Sequence, residues 1–183
     1  RESTPNSFTY NVAELSEGRF LETRVTAIQE VPLTIYLNNH EVVTLMCTGK
    51  HPKFLAAGFL KSDELITDRK QLKGIHIKEG PERLKAYVET SNDPFGLQRL
   101  KRSITSGCGK GTNFERNVET IASKSVTARL TVTPEQVLQL MAELEGRSTL
   151  YRATGGCHNA SLATPEKIII FREDIGRHNA IDM

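Results

Sequence analysis

Residues 33–46 read Leu33-Thr34-Ile35-Tyr36-Leu37, then Asn38-Asn39-His40-Glu41, then Val42-Val43-Thr44-Leu45-Met46. Two runs rich in apolar and β-branched side chains flank a short asparagine-rich break, and this pattern predicts a β-hairpin. Thr48-Gly49 closes the second run, and Pro52 follows just ahead of the apolar residues 54–60. Proline suits the first turn of a helix because its missing N–H has no intrahelical partner to lose there. The reading is therefore a hairpin followed by a helix whose apolar face packs on it.

Outward from this stretch the pattern continues. Ile75 and Ile77, then Leu84, Ala86 and Val88, alternate with polar residues around a Gly80-Pro81 turn, which predicts a second hairpin. Residues 1–20 are polar and lack a sustained apolar period, so they are expected to form a loose or edge-pairing arm. Residues 90–100 read as a loop, residues 103–112 are rich in glycine, and residues 127–132 suggest another strand. Thr133 and Gln136 match a capping box with Pro134 in the first turn. Val137, Leu140, Met141 and Leu144 repeat at helical spacing, and Gly146 marks the expected end. That stripe is assigned to the core. After Gly155-Gly156 come a strand over 158–163, a Pro165-Glu166 turn, a buried strand over 168–171 and a strand-to-helix turn over 175–180. Strands mixed with helices give an α/β, or mixed α+β, class. We divide the chain into an N-terminal β-rich region, residues 1–100, with hairpins and one helix, and a core, residues 101–183, that carries a cysteine loop.

Composition narrows the function. The 183 residues suit one domain, or one domain with a small appendage, and 24 basic against 22 acidic side chains leave a net charge of +2, which gives no support for a nucleic-acid footprint. No tryptophan and 6% aromatic residues weaken a base-stacking platform as well. The apolar run 54–60 is far too short for a bilayer and no signal peptide opens the sequence, so a cytoplasmic location is expected. Three scattered cysteines, Cys47, Cys108 and Cys157, suit a reducing compartment. The chain starts at Arg1 and stops at Met183 inside what reads as a helix start, so a longer natural protein is expected.

Three segments can carry chemistry. In Thr105-Ser106-Gly107-Cys108-Gly109-Lys110-Gly111-Thr112 the glycines leave the thiol unshielded, and Lys110 supplies a positive charge. Both favour a thiolate at neutral pH, where an ordinary cysteine is mostly protonated. A phosphate-binding loop is not matched, since Ile104 stands where its first glycine belongs and Gly111 replaces the Ser or Thr after the lysine. The second and third segments, Thr154-Gly155-Gly156-Cys157-His158-Asn159-Ala160 and Arg172-Glu173-Asp174-Ile175-Gly176-Arg177-His178-Asn179-Ala180-Ile181-Asp182, each set His-Asn after glycine. Arg172 and Arg177 could grip an anion. The H-x-E and P-C-x-x-C segments of zinc deaminases are absent, so no metal site is expected. Cys47, within a strand run, reads as a packed core residue, and Cys157 as either a packed thiol or a second acceptor.

Together these segments, with Ala27-Ile28-Gln29-Glu30-Val31-Pro32-Leu33 and Leu55-Ala56-Ala57-Gly58-Phe59-Leu60, resemble the formate dehydrogenase accessory protein family, the FdhD sulfurtransferases. The resemblance implies a cytidine-deaminase-like core, a homodimer, and a sulfur carrier. Such a carrier accepts persulfide sulfur from a cysteine desulfurase and passes it to the molybdenum or tungsten bis-guanine-dinucleotide cofactor needed by formate dehydrogenase. A guanine nucleotide would mimic part of that cofactor. Carried onto this chain, the resemblance makes Cys108 the persulfide carrier and Lys110, His158, Arg177 and His178 the cofactor-binding residues. It also exposes a departure, because many relatives have a second cysteine where this chain has Gly111. Two other readings compete: a cofactor-binding chaperone that transfers no sulfur, and a diverged nucleoside deaminase that would need zinc.

Overall fold

A computed structural model of the chain describes residues 6–81, 83–91 and 127–183. Strands β1 (Ser7–Ser16) and β2 (Arg19–Ile28) form an antiparallel ribbon of their own. Next come β3 (Val31–Leu37), β4 (His40–Cys47), helix α1 (Pro52–Ser62), a short 3₁₀ turn (Arg69–Gln71), β5 (Leu72–Glu79) and β6 (Leu84–Thr90). The C-terminal part holds α2 (Pro134–Arg147), α3 (Thr149–Thr154), the antiparallel pair β7 (His158–Ala163) and β8 (Ile168–Asp174), and α4 (Arg177–Asp182). This is the mixed α/β class that the alternation of strand and helix patterns predicts. Among the described residues no helix is long and apolar enough to cross a membrane.

The four strands from β3 to β6 make one sheet in the order β4-β3-β6-β5. Both expected hairpins are present. Asn38 and Asn39 take positive φ angles of 46° and 68°, which a two-residue hairpin loop requires and asparagine tolerates. The central contact is the parallel pairing of β3 with β6. Asn38 secures it, since its backbone N–H donates to Val88 O and its side-chain Oδ1 accepts from Thr90 N at 2.9 Å. One face of the sheet alternates Leu33, Ile35 and Leu37 inward with Ala86 and Val88 beside them, all buried. Leu55, Ala56, Phe59 and Leu60 of α1 cover that face. On the outer face Tyr36 and Tyr87, neighbours in register, stack with ring centroids 4.9 Å apart.

Three expectations change and one is resolved. Residues 7–16, expected as a loose or edge-pairing arm, pair along their whole length as a strand, turning through Glu17 and Gly18 at φ 49° and 77°. Glutamate is a poor turn signal, and the apolar alternation on β1 lapses after Val12, so the pattern is easy to miss. The capping box of Thr133 and Gln136 forms, but α2 runs through Gly146 to Arg147, and none of its residues is buried. Val137 and Met141 are exposed, while Leu140 and Leu144 are half-covered. Helical spacing reports that a face is apolar, and says nothing of whether another element covers it. Residues 127–132 are exposed and form no strand. In β8 only Ile168 of the three isoleucines is buried, because a two-stranded sheet leaves Ile169 and Ile170 facing outward.

Helix α4 is seated on α1 at Gly58. A Cβ placed there would lie 1.6 Å from the carbonyl oxygen of Asp182, so the backbones meet where only glycine fits. Ser62 Oγ adds a hydrogen bond to Asp182 Oδ1 at 2.6 Å. Gly58→Val is expected to destabilise the fold by about 1–3 kcal/mol or more, because overpacking against backbone cannot be relieved by a rotamer change. Urea denaturation measures it, and an unchanged midpoint would show that α4 is not held against α1.

Candidate functional site around the Asp174 turn

The site is built where the end of β8 turns into α4. Asp174 is fully buried, a costly position for a carboxylate unless donors surround it. Four do. Thr48 N and Thr48 Oγ1 donate to Oδ1 at 2.7 and 2.9 Å, and Gly176 N and Asn179 Nδ2 donate to Oδ2 at 3.3 and 2.6 Å. The second hydrogen of Asn179 Nδ2 goes to Met46 O at 2.9 Å. A Cβ on Gly176 would come within 3.0 Å of the Asn179 amide, so the glycine lets that side chain reach back. The last segment of the chain is thus tied to the end of β4, 126 residues earlier in sequence.

Around this anchor stand the charged groups. Lys50 Nζ pairs with Glu173 Oε1 at 3.1 Å, and Glu173 is buried. Its other oxygen, Oε2, and Asn159 Oδ1 on the neighbouring strand are buried with no hydrogen-bond partner among the described residues. Two unmet acceptors side by side call for N–H or O–H groups from a ligand or water. His51, the residue before α1, has φ 51° and an imidazole held below its ordinary range, first by partial burial and then by the cations Arg172 and Lys50. The Arg172 guanidinium lies 5.1 Å from the centre of the Phe54 ring.

The thiols divide clearly. Cys47 is buried and donates to Val31 O at 3.3 Å; burial pushes its thiol up to about 12. Cys157 is buried as well, and burial followed by the nearby Glu173 carboxylate pushes it up to about 11. Both are free thiols. The packed states expected for Cys47 and, as the first option, for Cys157 are what the structure contains.

Of the residues singled out from sequence, His158 opens β7 opposite Asp174 in register, and Arg177 and His178 begin α4 three and four positions later. These three therefore stand at one end of the β7–β8 pair. His158 and Arg177 are exposed and His178 is half-buried. Cys108 and Lys110, with the whole glycine-rich stretch, lie outside the described residues. Sequence reading took Thr48 only as the end of a strand run and passed over Lys50; their partners Asp174 and Glu173 are more than a hundred residues away in the chain and leave no local signal.

Comparison with known proteins gives the class. A solved formate dehydrogenase accessory protein from Desulfotalea psychrophila superposes with a TM-score of 0.72 over 97% of this chain and 67% of its own, at 20% identity, which speaks for the fold. The model of the FdhD/NarQ family matches residues 28–183. The sulfur carrier protein FdhD of Geobacillus kaustophilus is 40% identical over 173 residues, 93% of this chain and 65% of that protein. That of Halalkalibacterium halodurans is 38% identical over 184 residues, 98% of this chain and 67% of that protein. The chain belongs to the FdhD/NarQ family. It spans about 65% of the length of the first of these curated relatives.

Two expectations follow. Asp174→Ala strands the donors of Thr48, Gly176 and Asn179 and is expected to cost about 3–5 kcal/mol in chemical denaturation; a loss under about 1 kcal/mol would show the anchor to be dispensable. Because the two described thiols ionise less readily folded than unfolded, they leave stability unchanged below the ordinary thiol value of 9.0 and lower it as pH rises from there toward 11. In a Cys108→Ala chain, iodoacetamide at pH 8 is expected to leave both unlabelled; rapid labelling would contradict their burial.

Proposed function

We propose that this protein is a cytoplasmic, homodimeric sulfur carrier that loads Cys108 from a cysteine desulfurase and serves formate dehydrogenase. The observation that carries the reading is the state of the other two thiols. Cys47 and Cys157 are buried and pushed up to about 12 and 11, so neither is a ready nucleophile at neutral pH. Cys108, between glycines and two residues from Lys110, is the one cysteine whose sequence surroundings favour a thiolate. Family membership and relatives named as sulfur carrier proteins support the same reading.

In the loading step the Cys108 thiolate attacks the terminal sulfur of the desulfurase persulfide. An S–S bond forms to Cys108, the desulfurase thiolate leaves, and Cys108 holds the sulfur as a persulfide. The molybdenum or tungsten bis-guanine-dinucleotide cofactor is the acceptor and is cargo rather than a resident group. Delivery as sulfide takes up two electrons, which a reduced metal centre or a thiol reductant supplies. Lys110, His158, Arg177 and His178 are assigned to binding the cofactor, the arginine facing phosphate and the histidines giving hydrogen bonds. With Gly111 in the second loop position and Cys157 buried, a single loop thiol carries the sulfur.

Incubation with a cysteine desulfurase and free cysteine, followed by intact-mass spectrometry, tests this. One added sulfur is expected on the unaltered chain and on Cys47→Ala and Cys157→Ala, and none on Cys108→Ala. Loading that survives Cys108→Ala overturns the assignment. No loading on any form, with guanine-nucleotide binding intact, would favour a chaperone.

A further inference from the structure

The hairpin of β5 and β6 gathers cations at its turn. Lys78 and Lys85 stand directly opposite each other in register, on the outer face of the sheet. Like charges facing each other across two strands destabilise the pair. Arg83 comes two residues before Lys85, and all three side chains line a groove of about 310 Å³ at the Gly80-Pro81 turn. Lys78 and Arg83 are exposed, whereas Lys85 is half-buried with its ammonium 5.8 Å from the centre of the Tyr36 ring. A charge partly removed from water needs a partner. None of the three is ion-paired with another described residue. The groove also holds Glu79, but that residue is opposite Leu84 in register, so neither lysine has it as a cross-strand partner. Glu82, in the turn itself, lies outside the described residues.

We propose that this groove binds a phosphate group carrying two or more negative charges, either inorganic pyrophosphate or the phosphorylated end of a small molecule. A carboxylate would answer one cation, whereas a multiply charged phosphate answers all three. Arg83 offers a planar fork of donors to two oxygens, and the two lysines act as point charges on facing strands. An anion between them turns one repulsion into two attractions. The turn fixes the arginine backbone, since Gly80 N donates to Arg83 O at 2.9 Å.

A second groove, of about 450 Å³, adjoins the first, because Gly80, Pro81 and Arg83 line both. Phe8, Tyr10, Ile28 and Leu84 give it apolar walls, with Glu30 as its carboxylate. An organic group attached to the phosphate would lie against those rings. This site goes beyond the sulfur-carrier reading and does not rest on it. Lys78, Arg83 and Lys85 belong to the β5–β6 hairpin, and the cofactor-binding residues of the described chain belong to β7 and α4.

Isothermal titration calorimetry and thermal unfolding test the site with inorganic pyrophosphate, phenyl phosphate and methyl phosphate. Pyrophosphate is expected to bind the unaltered chain, to raise its melting temperature, and to lose affinity as salt is raised. Lys78→Gln with Lys85→Gln is expected to weaken that binding by about ten-fold or more. Without ligand at low salt, the double variant is expected to melt no lower than the unaltered chain, because the like-charge contact is gone. Tighter binding of phenyl than of methyl phosphate would assign the site to an organic phosphate, and weak binding of both with pyrophosphate still bound to an inorganic one; either supports it. Pyrophosphate that binds neither form, or binds the double variant as tightly as the unaltered chain, overturns the proposal. Binding that the double variant keeps and Arg177→Ala loses would overturn it in favour of the β8–α4 end.

Discussion

The buried carboxylate of Asp174 is the constraint on which the rest of the C-terminal arrangement depends. Its charge can be kept out of water because the chain brings four donors to it, two from Thr48 and two from the turn that Gly176 and Asn179 form. Thr48 sits at the end of β4, in the sheet that α1 covers, so the turn is placed against the most firmly packed part of the molecule. Helix α4 then lands on α1 at the one position, Gly58, without a side chain to hold it off. Arg177 and His178 inherit their positions from this anchor, and His158 from its register with Asp174. A few hydrogen bonds thereby set where those three side chains stand.

The legible parts of this fold are those written in local chemistry. Asn38-Asn39 between β-rich runs, Pro52 in the first turn of α1, and Thr133 with Gln136 all mark an element boundary by chemistry that reaches only a few residues, and all three boundaries are found as read. The parallel pairing of β3 with β6 has no such mark. It follows from the second use of Asn38, which clamps Thr90 fifty-two positions later. The candidate site divides in the same way. Glycine and histidine clusters point to the region, but the Thr48–Asp174 and Lys50–Glu173 contacts that hold it are tertiary and show in no window of sequence.

Burial of thiols separates packing from chemistry more sharply than cysteine spacing does. Cys157 shares a glycine-rich setting with Cys108 but lacks the lysine that stands two residues after Cys108, and sequence leaves open whether it is packed or a second acceptor. The structure puts Cys157 under cover and beside Glu173, whose charge opposes a second negative group. Lys50 works in the opposite direction, yet it is already paired with Glu173. The thiol is therefore neutral in an environment that rewards neutrality, and this is the ordinary state of a packed cysteine.

Apolar periodicity states which side of an element avoids water but leaves open what shields it. The stripe on α2 and the ribbon face of β1 and β2 satisfy helical and strand periods as well as the core of the central sheet does, yet both stay open. The stripe on α2 has no complementary feature among the described residues to single out an occupant. The ribbon is apolar on both sides, with Leu15 and Phe20 exposed on one face and Phe8, Tyr10 and Leu21 on the other.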